Sequence, residues 1–74
     1  MSRYPAVTGR QLLLLLQRMG FALIRVRGSH HFLRHNDGRK TVLPVHSGEM
    51  IGPGLLSSIL RQVQVTRDEL FEQL

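Results

Sequence analysis

Apolar residues recur along this chain in two rhythms, one helical and one extended. Leu12, Leu16 and Met19 fall on one face of a helix, with Leu13 and Leu15 widening the stripe. Thr8 offers a capping hydroxyl, and Gln11, three residues on, completes a capping box. Val7 and Leu12 sit where a hydrophobic staple forms. Gly20 suits a left-handed helix exit. The rhythm then shortens. Residues 21–26 predict a first strand, Arg27-Gly28 a tight turn, and residues 29–34 a second strand. His35-Asn36-Asp37-Gly38 reads as a hairpin connection, because Asn, Asp and Gly tolerate positive φ. Residues 40–45 predict a third strand. Pro44 cannot donate to a ladder, which puts this strand at an edge or ends it there.

The helical rhythm returns after a loop over residues 46–52. Pro53 suits a first helical turn, and Leu55, Leu56, Ile59, Leu60 and Val63 give the helix an apolar face. Thr66 opens a final short helix with a second capping box to Glu69, which Val65 and Leu70 can staple. Phe21 and Phe71 read as core. The order is α-β-β-β-α plus a terminal helical turn or two. Three antiparallel strands have one face covered by helices, an α+β class. No repeat, linker or low-complexity segment interrupts the 74 residues. They read as a single domain, 1–74, with residues 1–7 as a loosely held lead-in.

Composition narrows the chemistry. A chain this short buries only about 60% of its unfolded surface. It has no Cys, so neither disulfides nor thiolate metal sites can supplement the core. That suits a reducing cytoplasm, the location we expect. The leucine run 12–16 is far too short to span a bilayer, and no secretory signal is visible. The formal net charge is +5, unevenly spread. Nine Lys/Arg precede residue 66 against only Asp37 and Glu49, and five of the ten basic residues fall between Arg25 and Lys40. A concentrated positive field attracts polyanions. Nucleic acid is the leading partner, and a protein with an acidic face the second.

Few reactions remain open. The five scattered acids offer no carboxylate pair, and no nucleotide-binding fingerprint is present. Four histidines, His30, His31, His35 and His46, stand out. A zinc site does not fit them, because strand alternation puts His30 and His31 on opposite faces. No metal or cofactor is expected. General acid–base work fits better, since imidazole titrates near neutral pH. RNA carries its own nucleophile in the 2′-hydroxyl. A base that removes that proton, with cations around the phosphate, is sufficient for cleavage. Arg25, Arg27, Arg34, Arg39 and Lys40 cluster around the sheet and hairpin as candidate phosphate contacts. Arg3, Arg10, Arg18 and Arg67 read as ordinary solvated charges. His35 is assigned to the hairpin and His31 to the side away from His30. His46, at a strand end, either touches substrate or orders the next loop. Tyr4, Phe21, Phe32 and Phe71 are not interleaved with charge as a base-stacking platform would be.

The run Arg27-Gly28-Ser29-His30-His31-Phe32, followed by Arg34-His35-Asn36-Asp37-Gly38, resembles the HicA toxin family, with its Gly-Ser-His signature and Arg-His-x-Asp-Gly hairpin. Further matches follow in order: Gly9, Leu12, Leu15, Leu16 and Gly20-Phe21; residues 42–46; Pro53-Gly54 and residues 58–62. The resemblance covers residues 8–74. It implies a double-stranded-RNA-binding-domain-like fold and ribosome-independent mRNA cleavage that arrests growth. It also implies neutralisation by a HicB-type antitoxin, through which alone the toxin meets DNA. The family's catalytic histidine falls on His30, with Gly28 and Ser29 setting its position. Gly52 and Ser57 stand where the family often carries basic or polar residues. Leu14 occupies a position usually polar in the family and lies off the core stripe, so we expect it exposed and part of a partner interface. The competing expectations are a non-catalytic RNA-binding module of the same topology and a degenerate member retained only to bind a partner.

Overall fold

In the computed structural model, which describes residues 6–73, helix α1 (Gly9–Arg18) starts where Thr8 leaves extended backbone. Thr8 Oγ1 accepts the Gln11 N–H at 3.1 Å, and Gln11 Oε1 accepts the Thr8 N–H at 2.8 Å. The predicted capping box is therefore closed in both directions. Leu12, Leu13, Leu15 and Leu16 are buried, and the chain leaves the helix through Gly20 at φ +97°. Strands β1 (Phe21–Arg27), β2 (His30–His35) and β3 (Lys40–Pro44) form an antiparallel sheet in the order β1-β2-β3. Pro44 is the last residue of an edge strand, where its missing N–H is harmless. Helix α2 (Pro53–Val63) begins with Pro53 in its first turn, and α3 (Arg67–Glu72) repeats the capping box with Thr66 and Glu69.

This is the α+β, double-stranded-RNA-binding-domain-like order. Helices α1 and α2 pack on one face of the sheet. Leu12 and Leu16 of α1, Leu33 and Leu43 of the sheet, and Leu56 and Ile59 of α2 are fully buried there. Thr41, the buried polar side chain of β3, donates its hydroxyl to Gln62 Oε1 at 2.6 Å and so ties the strand to α2. Arg18 reaches the Gln73 carbonyl at 3.1 Å, joining α1 to the chain after α3. No helix among the described residues is long and apolar enough to cross a membrane.

Several expectations need correction. The first hairpin turns at Gly28-Ser29, one residue later than expected, so β2 begins at His30. Gly28 has φ +57° and Ser29 does not have positive φ, the pattern of a type II′ turn, which calls for Gly first. Residues 1–5 of the expected lead-in lie outside the described residues. Val7 is not loosely held: it is fully buried, and its carbonyl accepts the Ile51 N–H at 2.8 Å. Phe71 is 42% exposed rather than core, because Leu70 fills the inward position of so short a helix. Leu55 is exposed too, one residue and about 100° of helical rotation away from buried Leu56.

Gly9 shows how tightly α1 meets the sheet. A Cβ there would run into the Pro44 carbonyl oxygen and lie 3.1 Å from Val45 Cα. Alanine is favoured over glycine in a helix by roughly 0.5–1 kcal/mol, but overpacking of this kind costs about 1–3 kcal/mol. The clash is against backbone, which cannot swing aside, so it wins. Gly9→Ala is expected to lower stability by roughly 1–2 kcal/mol in urea unfolding followed by circular dichroism. An unchanged or raised midpoint would show that α1 and β3 separate freely.

Candidate functional site

Residues directly opposite one another in a sheet point to the same face. The register therefore sorts every strand side chain. On the helix side lie Phe21 beside His35, then Leu23, Leu33 and Thr41, then Val26, His31 and Leu43. On the open side lie three rows: Ala22, Arg34 and Lys40; Arg25, Phe32 and Val42; Arg27, His30 and Pro44. Four of the five predicted phosphate contacts, Arg25, Arg27, Arg34 and Lys40, thus share one face with His30. All four are exposed.

A bulge makes this possible. The pairing of β1 with β2 slips between Leu23 and Arg25, leaving Ile24 as an extra residue. Side chains alternate strictly in a strand. Were β1 to pair with β2 regularly throughout, Arg25 and Arg27 would follow Phe21 and Leu23 onto the helix side. The bulge takes Ile24 out of the alternation and so turns both guanidinium groups out to the open face.

His30 opens β2 directly after the Gly28-Ser29 turn and is exposed. Among the described residues, none hydrogen-bonds its ring. The backbone around it is well fixed. Ser29, half buried, has a carbonyl that accepts the Val45 N–H at 2.8 Å and the His31 Nδ1–H at 2.9 Å. His31 is therefore turned to the other face, as expected. His46 is exposed in the loop after β3, where its carbonyl accepts the Glu49 N–H at 3.1 Å. Among the described residues no hydrogen bond joins the His46 and His30 rings, and no three potential metal ligands gather.

Arg39 stands apart from the other cations. Its Nε donates to both Asp37 carboxylate oxygens at 2.8 and 3.1 Å, and its Nη1 donates to the Val63 carbonyl at 2.6 Å. Its guanidinium lies 5.1 Å from the centre of the Phe21 ring. His35 meets the same ring edge-on at 5.1 Å and accepts the Asp37 N–H on Nδ1 at 3.2 Å. These groups staple the β2–β3 hairpin to the end of α2. Arg39 is thus engaged in holding the fold, and the open face keeps its charge without it.

Phe32 is the residue that sequence reasoning missed. It lies half buried in the middle row of the open face, and the Arg25 guanidinium sits 5.2 Å from its ring centre. Aromatic and charge are interleaved here across strands, contrary to the expectation drawn along the chain. The signal was the period of two in β2, which puts Phe32 with His30 and Arg34.

Residues 9–65 match the family model described as HicA toxin of bacterial toxin-antitoxin. The match begins at the first residue of α1 and includes all three rows of the open face. No curated protein matches the chain.

The Arg39 staple makes a pH prediction. The Arg39 side chain, then its backbone N–H, bond the Asp37 carboxylate and hold it below the ordinary aspartate value of 3.8. A carboxyl depressed on folding stabilises the fold above its unfolded value, and that contribution disappears as pH falls through the lowered one. In urea unfolding, the natural chain should outlast Asp37→Asn at neutral pH, and the gap should close on acidification below 3.8. A gap that stays constant into strong acid would mean the ion pair does not support the hairpin.

Proposed function

The chain belongs to the HicA toxin family of bacterial toxin–antitoxin systems, and from that premise we propose that it is an endoribonuclease that cleaves mRNA without a metal ion. The observation that carries this reading is the exposed His30 ring, unbonded among the described residues, on the one face that also holds Arg25, Arg27, Arg34 and Lys40. His30 is the catalytic residue, and the four cations bind the RNA backbone. Gly28 and Ser29 position the ring through the tight turn and the Ser29–Val45 bond. His46 is a secondary candidate for proton donation.

The chemistry needs little else. The His30 imidazole takes the proton from a 2′-hydroxyl. The 2′-oxygen attacks the adjacent phosphorus, and the bond to the 5′-oxygen breaks as that oxygen gains a proton. The products are a 2′,3′-cyclic phosphate and a 5′-hydroxyl end. Negative charge gathers on the phosphoryl oxygens in the transition state, where neighbouring guanidinium groups stabilise it more than they do the ground state. The toxin works in the cytoplasm and arrests growth. A HicB-type antitoxin neutralises it by covering the basic face, and contact with DNA is made only through that antitoxin.

One well-placed base supplies about 10²–10⁴-fold of rate. His30→Ala should therefore lose cleavage by about that factor while keeping salt-sensitive RNA binding. The natural chain should cut in excess chelator and spare DNA of the same sequence, which lacks the 2′-hydroxyl. Cleavage that survives His30→Ala would refute the assignment, and binding without products at any pH would make the protein a non-catalytic RNA-binding module.

Leu14 bears on the partner. It is 49% exposed on the side of α1 away from the core, at a position with no packing reason to be apolar. We assign it to the interface with the antitoxin or with a second copy. Leu14→Lys should weaken the complex or shift the oligomeric state in sedimentation experiments. If both stay the same, Leu14 is simply a tolerated surface residue.

A further inference from the structure

The open face carries a feature that phosphate binding does not require. Phe32 occupies the central row of the central strand, between Arg25 and Val42. A groove of about 830 Å³ passes over Ile24, Phe32 and Val42 and around Lys40 towards the end of α2. Ile24 is 58% exposed and Val42 38% exposed. An aromatic ring with apolar flanks, set among four cations, suits a ligand that is both flat and anionic. A duplex offers sugar, phosphate and base edges at its surface, but its base faces are stacked away. A single strand offers both.

The geometry points to Phe32, with the Arg25 guanidinium lying over its ring, as the floor of a subsite for one unpaired nucleobase, held by stacking on that pair. Phe32 and His30 are two residues apart on the same face of β2, about 7 Å at the rise of a strand. A base on Phe32 therefore belongs to a nucleotide adjoining the ribose presented to His30. The subsite makes the protein select unpaired RNA and sets which bond lies under the imidazole. It tolerates any base, because every base has a π face. This inference rests on the RNA-cleaving reading above and adds to it the strandedness of the substrate.

The test uses full-length His30→Ala protein, so that bound RNA stays intact. The probes are a short labelled single-stranded RNA and the duplex it forms with its complement. Adding Phe32→Leu should weaken single-strand binding about 5- to 150-fold, the equivalent of one lost base stack, and leave duplex binding nearly unchanged. Circular dichroism confirms that the variant is folded. Phe32→Trp should retain single-strand affinity. The natural chain has no Trp, so the emission of that variant reports the site alone, and single-stranded RNA should quench it. Undiminished single-strand affinity in folded Phe32→Leu, or unquenched emission in the Phe32→Trp protein with RNA bound, overturns the subsite. If the natural chain still cuts RNA in that case, the cleavage reading stands alone. If the parent protein binds no RNA and cuts none, both fall together.

Discussion

The slip at Ile24 governs the molecule's division of labour. A small three-stranded sheet has only two faces, and this chain must use one for cohesion and one for recognition. Strand β2 separates them by alternation alone, with His31, Leu33 and His35 towards the helices and His30, Phe32 and Arg34 away from them. Strand β1 cannot do so by alternation, because Phe21 and Leu23 share odd positions with Arg25 and Arg27. The inserted residue changes the phase halfway along the strand. Only then do the guanidinium groups of β1 join that of Arg34 in β2 around Phe32. The charge pattern of the surface thus depends on a backbone irregularity rather than on extra basic residues.

The helix-facing side makes that irregularity tolerable. Leu33 and Leu43 are fully buried opposite α1 and α2, and Thr41 is tied to Gln62. A slip of β3 against β2 by one residue would turn Thr41 and Leu43 out and put Lys40, Val42 and Pro44 in their place. The second hairpin is locked independently, since Arg39 bonds Asp37, the Val63 carbonyl and the Phe21 face together. Register between β2 and β3 is therefore held at both ends. Strand β1, exposed at every position after Phe21, has no such cover and is free to carry the bulge.

Much of this was legible in the chain, for local reasons. The two capping boxes, at Thr8/Gln11 and Thr66/Glu69, are sequence patterns with one geometric meaning, and both formed. The alternation in β2 placed His30 opposite His31 without any structural information. The bulge was not legible, because nothing in Leu23-Ile24-Arg25 distinguishes the slip from regular pairing. It is chosen by what lies across the sheet. Arg39 was grouped with the RNA contacts because charge along the chain does not reveal which cations already have partners. Phe71 and Leu55 were assigned to the core from hydrophobicity alone, but the last helix is too short and the Leu55 position too far rotated to reach it. Phe32 was overlooked because interleaving was sought along the sequence, whereas its charged neighbours come from β1 and β3.

The surroundings of His30 show how so small a domain can hold a reactive group. A single base is effective only when its position relative to the reacting atoms is already set before reaction. Here the constraints act on the backbone and leave the ring alone. Gly28 bends the chain into a turn that other residues enter only with strain. Ser29 is bonded to Val45, and His30 lies opposite Pro44, whose carbonyl is pressed against Gly9 at the start of α1. The buried helix thereby bears on the site through one close backbone contact. The imidazole itself, with no hydrogen-bond partner among the described residues, keeps both ring nitrogens available to whatever the basic face captures. A histidine satisfied inside the fold, such as His31 on the Ser29 carbonyl, has already committed the nitrogen that this chemistry would need.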